Sequence, residues 1–75
     1  MGKAKNGLMM VRRSRGMSRG ELAAMTGVSK NTIIAWEVGN RDIEKAAYST
    51  LKRMAEVLCT TIEIITGENR QGGGA

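Results

Sequence analysis

The segment from Ser18 to Glu37, SRGELAAMTGVSKNTIIAWE, constrains what this chain can fold into more than any other stretch. Ser18 followed by Glu21 is a capping box, in which each side chain satisfies an amide donor that a helix start leaves unpaired. Leu22, Ala23 and Met25 supply the buried side of the helix that follows. Gly27 then tolerates the left-handed backbone that ends a helix sharply. Ser29 caps a second helix, whose inner face is Ile33 and Trp36. Two helices that cross tightly need a small residue where their backbones approach, and Ala23 meets that need. The pattern is two short helices joined by a glycine turn.

The rest of the chain reads as helix as well. From Asn6 to Arg15 the apolar positions Leu8, Val11 and Met10 fall at helical spacing, and Gly16 stops that helix. Residues 40–46 form a polar loop around Arg41, Asp42 and Glu44, anchored by Ile43. A fourth helix is predicted from Ala46 to Leu58, with Tyr48, Leu51, Met54, Ala55 and Leu58 inward. Thr61 caps a short last helix in which Ile62 and Ile65 face the core and Gly67 terminates. TIEII, residues 61–65, has the composition of a strand but no partner strand, and the chain contains no proline. The expectation is an all-α domain of five short helices over residues 6–67. Residues 1–5 are read as a flexible basic arm and residues 68–75, ENRQGGGA, as a disordered glycine-rich tail.

Composition narrows the chemistry. The 75 residues make one small domain, and at 41% hydrophobic and 25% charged they can form a core. One cysteine and no histidine exclude a disulfide framework and any Cys/His metal site, and fit a reducing compartment. Without histidine there is no ready acid–base group, and Cys59, read as a small semi-buried apolar residue, has no base to activate it. The carboxylates are accounted for by caps, pairing and surface. No catalysis, metal or cofactor is expected. No apolar run approaches the roughly 20 residues a bilayer span needs, and the apolar centre of MGKAKNGLMMVRR is too short for a signal peptide. A cytoplasmic protein with no membrane partner is the reading.

The formal charge of +5 favours an anionic partner. Residues 1–20 hold Lys3, Lys5, Arg12, Arg13, Arg15 and Arg19 with no acidic residue, whereas the segment 18–37 is balanced. In a helix-turn-helix the second helix enters the DNA major groove. With Val28, Ile33 and Trp36 turned inward, Ser29, Lys30, Asn31, Ile34 and Ala35 are left outward. Asn31 can bond bidentately to adenine, Lys30 can reach guanine acceptors, and Ile34 and Ala35 can pack on a thymine methyl. Arg19 and Arg41 flank that helix and are placed to hold phosphates, assisted by the amides at the start of the preceding helix, the one capped by Ser18.

On Leu8-x-x-Val11-Arg12, Gly16-Met17-Ser18, Glu21-Leu22-Ala23, Gly27-Val28-Ser29, Thr32-Ile33, Trp36-Glu37 and Gly39, the chain resembles the phage Cro and repressor helix-turn-helix family, also called the XRE family. The distal match runs from Thr50-Leu51 through Ala55 and Leu58 to Thr61-Ile62-Glu63 and Gly67, so the likeness covers roughly residues 6–67. It implies a compact five-helix domain of the lambda-repressor type, bacterial or phage-encoded, that binds double-stranded operator DNA as a homodimer to regulate transcription. It implies base contacts at Lys30, Asn31, Ile34 and Ala35, phosphate contacts at Arg19 and Arg41, and a buried ion pair between Arg12 and Glu37. Arg19 stands where the family commonly has glutamine, Thr26 where it has an apolar residue, and Cys59 where glycine often ends the fourth helix. The loop after Gly39 lacks the family's usual proline.

A competing expectation is a protein-interaction module of the same fold, such as an antitoxin that binds a partner toxin. Lys30 and Asn31 favour DNA, whereas Ile34 and the methionines would suit a protein groove. Sequence-specific RNA binding lacks the aromatic stacking platforms it favours, since Trp36 belongs to the core. Self-association is expected through the last helix, where Ile64 faces outward.

Overall fold

A computed structural model describes residues 6–67. They form α1 (Leu8–Ser14), α2 (Arg19–Thr26), α3 (Lys30–Val38), a 3₁₀ turn at Ile43–Lys45, α4 (Tyr48–Val57) and α5 (Ile62–Thr66). The described residues are all-α with no strand, as the periodicity predicts. The expected arm, 1–5, and tail, 68–75, lie outside the described residues.

The caps set the boundaries. Ser18 and Glu21 form the complete capping box of α2, with Ser18 Oγ accepting from Glu21 N at 3.0 Å and Glu21 Oε1 from Ser18 N at 2.8 Å. Ser29 Oγ accepts from Thr32 N and Thr61 Oγ1 from Ile64 N, starting α3 and α5. Gly27 turns left-handed, at φ 79, between α2 and α3. The start of α1 is held by Asn6, whose Oδ1 accepts from Leu8 N while its Nδ2 donates to the Trp36 carbonyl at 3.1 Å, tying α1 to the end of α3.

Leu8, Leu22, Ile33, Met54, Leu58 and Ile65 are fully enclosed, with Trp36 and Ile43 beside them. α5 closes the bundle against α1: Gly7 N donates to the Ile65 carbonyl at 2.9 Å, and a Cβ at Gly7 would stand 2.5 Å from the Ile64 carbonyl oxygen. Only a hydrogen at this Cα lets the two helices meet so closely.

Four sequence expectations are corrected. Met25 is 53% exposed; the inner stripe of α2 runs through Leu22, Ala23 and Thr26 instead. Thr26 tolerates that place because its hydroxyl donates to the Leu22 carbonyl and accepts from Val28 N, leaving no unpaired polar atom. Met10 is likewise exposed, because α1 buries only Leu8, Val11 and Arg12. Tyr48 is 69% exposed; side chains slant toward a helix's N-terminus, so one in the first turn of α4 projects past its end. Cys59 is exposed rather than semi-buried and has φ 54, the left-handed region. It takes the place of a glycine in a Schellman closure of α4, where Thr60 N donates to the Ala55 carbonyl and Cys59 N to the Glu56 carbonyl. Arg15 fastens this corner from α1, its Nε donating to the Leu58 carbonyl at 2.6 Å and Nη2 to the Cys59 carbonyl at 3.0 Å.

Candidate nucleic-acid interface

α3 is gripped on one side and open on the other. Ile33, Trp36 and Glu37 are buried, whereas Ser29, Lys30 and Asn31 are exposed and Ile34 and Ala35 half-buried. Of the five outward positions read from the sequence, Ser29, Lys30 and Asn31 are thus open at the start of the helix, and Ile34 and Ala35, a turn further on, are partly covered. Lys30 occupies the first residue of α3 and Asn31 the second. Neither side chain has a hydrogen-bond partner among the described residues, so their polar groups are free for a ligand. Ser29 differs: besides accepting from Thr32 N, its hydroxyl donates to Thr32 Oγ1 at 2.9 Å. Its proton is thus used within the cap.

The grip centres on Glu37. Its Oε2 accepts from Arg12 Nε at 2.6 Å and its Oε1 from Arg12 Nη2 at 3.1 Å, a bidentate pair joining α1 to α3. Arg12 Nη1 donates to the Met17 carbonyl at 2.8 Å, so the guanidinium also holds the chain entering α2. Burial alone would raise the Glu37 carboxyl, but hydrogen bonds from Arg12 and Arg19, and the positive charge of both, hold it below the ordinary carboxylate value. Glu37 is ionised at neutral pH.

Arg19 also belongs to this cluster, through its Nε–H to Glu37 Oε1 at 2.8 Å. That bond lay beyond sequence reasoning, which placed Arg19 only on the surface. Through this bond Nε serves one direction while the two Nη groups stay available for another. Arg41 is exposed and makes no ion pair among the described residues, although Asp42 and Glu44 are close in sequence. Asp42 is occupied differently, capping the 3₁₀ turn by accepting from Glu44 N at 3.0 Å. The turn brings Lys45 to a surface cleft of about 320 Å³ that it shares with Arg41, Asp42, Trp36 and Ala46. Lys45 was missed because a single turn of 3₁₀ helix has no periodicity to read.

Arg12, Arg19 and Glu37 thus stand together, Lys30 and Asn31 lead the open side of α3, and Arg41 with Lys45 follows its end. Among the described residues no three His, Cys, Asp or Glu side chains gather as a metal site would require. No helix described is long and apolar enough to cross a membrane. A family model described as helix-turn-helix matches residues 8–65. Neither a curated protein nor a solved structure matches the chain.

Proposed function

This chain belongs to the helix-turn-helix family of DNA-binding regulators, and from that premise we propose that it is a repressor that reads a specific operator with α3 in the major groove. The observation that carries this reading is the unpartnered, exposed pair Lys30 and Asn31 at the start of a helix that Ile33, Trp36 and Glu37 lock into the core. A rigid helix presents donors at fixed positions, which base-edge recognition requires. Asn31 takes adenine, Lys30 takes guanine, and Ile34 and Ala35 pack on thymine methyls. Ser29 contributes through its cap and through its oxygen's remaining capacity to accept. Arg19 and Arg41 hold the phosphates on either side. The protein is no enzyme, and acts in the cytoplasm on nucleoid DNA.

One α3 covers few base pairs. Two copies related by a two-fold axis, with Ile64 on the outer side of α5 at their contact, would place their reading helices about 34–36 Å apart on successive turns of the duplex.

Selection of bound sites from random duplex DNA tests this reading: a palindrome with that half-site spacing is the expected product. Lys30→Ala combined with Asn31→Ala then removes the preference for the selected site over random DNA. Each lost bidentate contact contributes about 1–3 kcal/mol of discrimination, and the helical circular dichroism stays intact because neither side chain is buried. Unchanged discrimination in the double variant refutes the assigned reading face.

A further inference from the structure

Glu37 carries two arginines on one buried carboxylate. Oε2 takes Arg12 Nε, and Oε1 takes both Arg12 Nη2 and Arg19 Nε. Arg12 and Glu37 are enclosed, whereas the side chain of Arg19 is 32% exposed. Arg19 is therefore the one member of the cluster that reaches solvent. Its Nη nitrogens have no hydrogen-bond partner among the described residues. The guanidinium is planar and rigid, so a bond that fixes Nε also fixes where the Nη donors lie. Two guanidinium charges against one carboxylate leave a net positive charge in the cluster, at its solvent edge.

We propose that Glu37 is a positioning residue for DNA: it holds Arg19 so that the Nη donors meet a backbone phosphate beside the start of α2. The inference rests on the reading of Arg19 as a phosphate contact and adds the residue that sets its geometry. The ion pair that ties α1 to α3 thereby also prepares part of the binding surface. Because Arg19 is held before DNA arrives, less side-chain freedom is lost on binding. A phosphate contact carries no base information, so Glu37 governs affinity for any duplex and not the choice of sequence. A lysine is a poor substitute: its ammonium keeps free donors when one is given to Glu37, but its flexible stem does not fix their direction as the planar guanidinium does.

The test uses the full chain and a short duplex of random sequence, with affinity measured across a salt series for the wild type, Arg19→Ala and Arg19→Lys. Circular dichroism verifies folding; the Arg12–Glu37 pair is untouched in both variants. Arg19→Ala weakens binding by about tenfold or more, the loss of one charge-assisted bond, and makes the slope of log affinity against log salt shallower by about 0.9. Arg19→Lys keeps the charge yet weakens binding by a comparable factor. In the wild type, the Arg19 Nε–H resonance exchanges slowly with solvent and stays in place when duplex is added, while the Nη signals shift. Wild-type affinity in Arg19→Lys, or an Nε–H that exchanges as fast as that of exposed Arg13, overturns the positioning role while leaving the phosphate contact standing. Wild-type affinity and slope in Arg19→Ala overturns the contact itself, and the inference with it.

Discussion

Arg12→Ala removes the inner half of the Glu37 cluster, and its cost can be worked from the bonds lost. Glu37 Oε2 loses its only donor, Oε1 loses Arg12 Nη2 but keeps Arg19 Nε, and the Met17 carbonyl loses Arg12 Nη1. Breaking a buried pair by deleting one partner costs about 3–5 kcal/mol. The surviving Arg19 bond places this case near the lower end, at about 3 kcal/mol. A chain of 75 residues has a total stability of roughly 4–11 kcal/mol at 0.05–0.15 kcal/mol per residue. The variant therefore loses a quarter or more of its stability, and its thermal midpoint falls by roughly 12–24 °C at 4–8 °C per kcal/mol. Thermal unfolding followed by circular dichroism at neutral pH measures this directly. Arg19→Ala is the control: its pair is a third exposed on the arginine side, so its loss costs no more than about 1 kcal/mol. The double variant Arg12→Met with Glu37→Leu isolates the cause, because it leaves no fully buried unpaired charge: Arg19 loses its partner but its side chain reaches solvent, and most of the wild-type midpoint is recovered. An Arg12→Ala midpoint equal to wild type would falsify the view that this pair secures the fold.

The lowered Glu37 titration fixes the sign of an acid response. A carboxyl whose folded value lies below its unfolded value of about 4.5 contributes stability that is fully present above that pH and is lost as pH falls toward the folded value. Unfolding midpoints of the wild type should thus drop more steeply below pH of about 4.5 than those of the Arg12→Met/Glu37→Leu variant; parallel curves would refute it. Cys59→Gly should raise stability by about 1 kcal/mol, because a side chain in the left-handed region costs about 1–2 kcal/mol that glycine avoids, and the exposed thiol contributes no packing. A midpoint unchanged or lowered in that variant would mean the corner holds Cys59 without strain.

Where a single residue type does a local job, the sequence was legible. Ser18 with Glu21, Ser29, Thr61, Gly27 and Gly67 each satisfy or release backbone groups within a few residues, and the structure uses every one as a boundary. The core stripe of α4 from Leu51 to Leu58 followed from helical period alone. What sequence could not supply depended on where helices meet. Met25 leaves the inner place expected of it, and Thr26 keeps the place where the family has an apolar residue because a threonine whose hydroxyl is satisfied inside its own helix is cheap to enclose. The need for glycine at position 7 exists only because the Ile64 carbonyl stands against it, 57 residues on in the chain by number. At the reading surface, Lys30 and Asn31 lie in the open as periodicity predicts. The tie from Arg19 to Glu37 was hidden, since no local pattern tells which of two arginines a distant carboxylate will accept.

The same bonds change what the net charge means. The amino-terminal run of arginines reads as a basic patch, but three of its members are occupied within the protein. Arg12 is buried against Glu37, Arg15 is spent on the carbonyls that end α4, and Arg19 shares its Nε with Glu37. Arg15 there also faces the negative end of the α4 dipole, which offsets part of its field. Among the described residues, the cations that reach solvent around α3 are Lys30 at its start and Arg41 and Lys45 after its end, with Arg19 partly exposed on its bond to Glu37. Long-range attraction is screened within about 10 Å in ordinary salt, so charge placement near the bound phosphates outweighs the total. In the proposed complex, among the described residues, the cations around α3 contribute most to the salt dependence, and neutralising exposed Lys52 or Arg53 on α4 alters affinity less than neutralising Arg41.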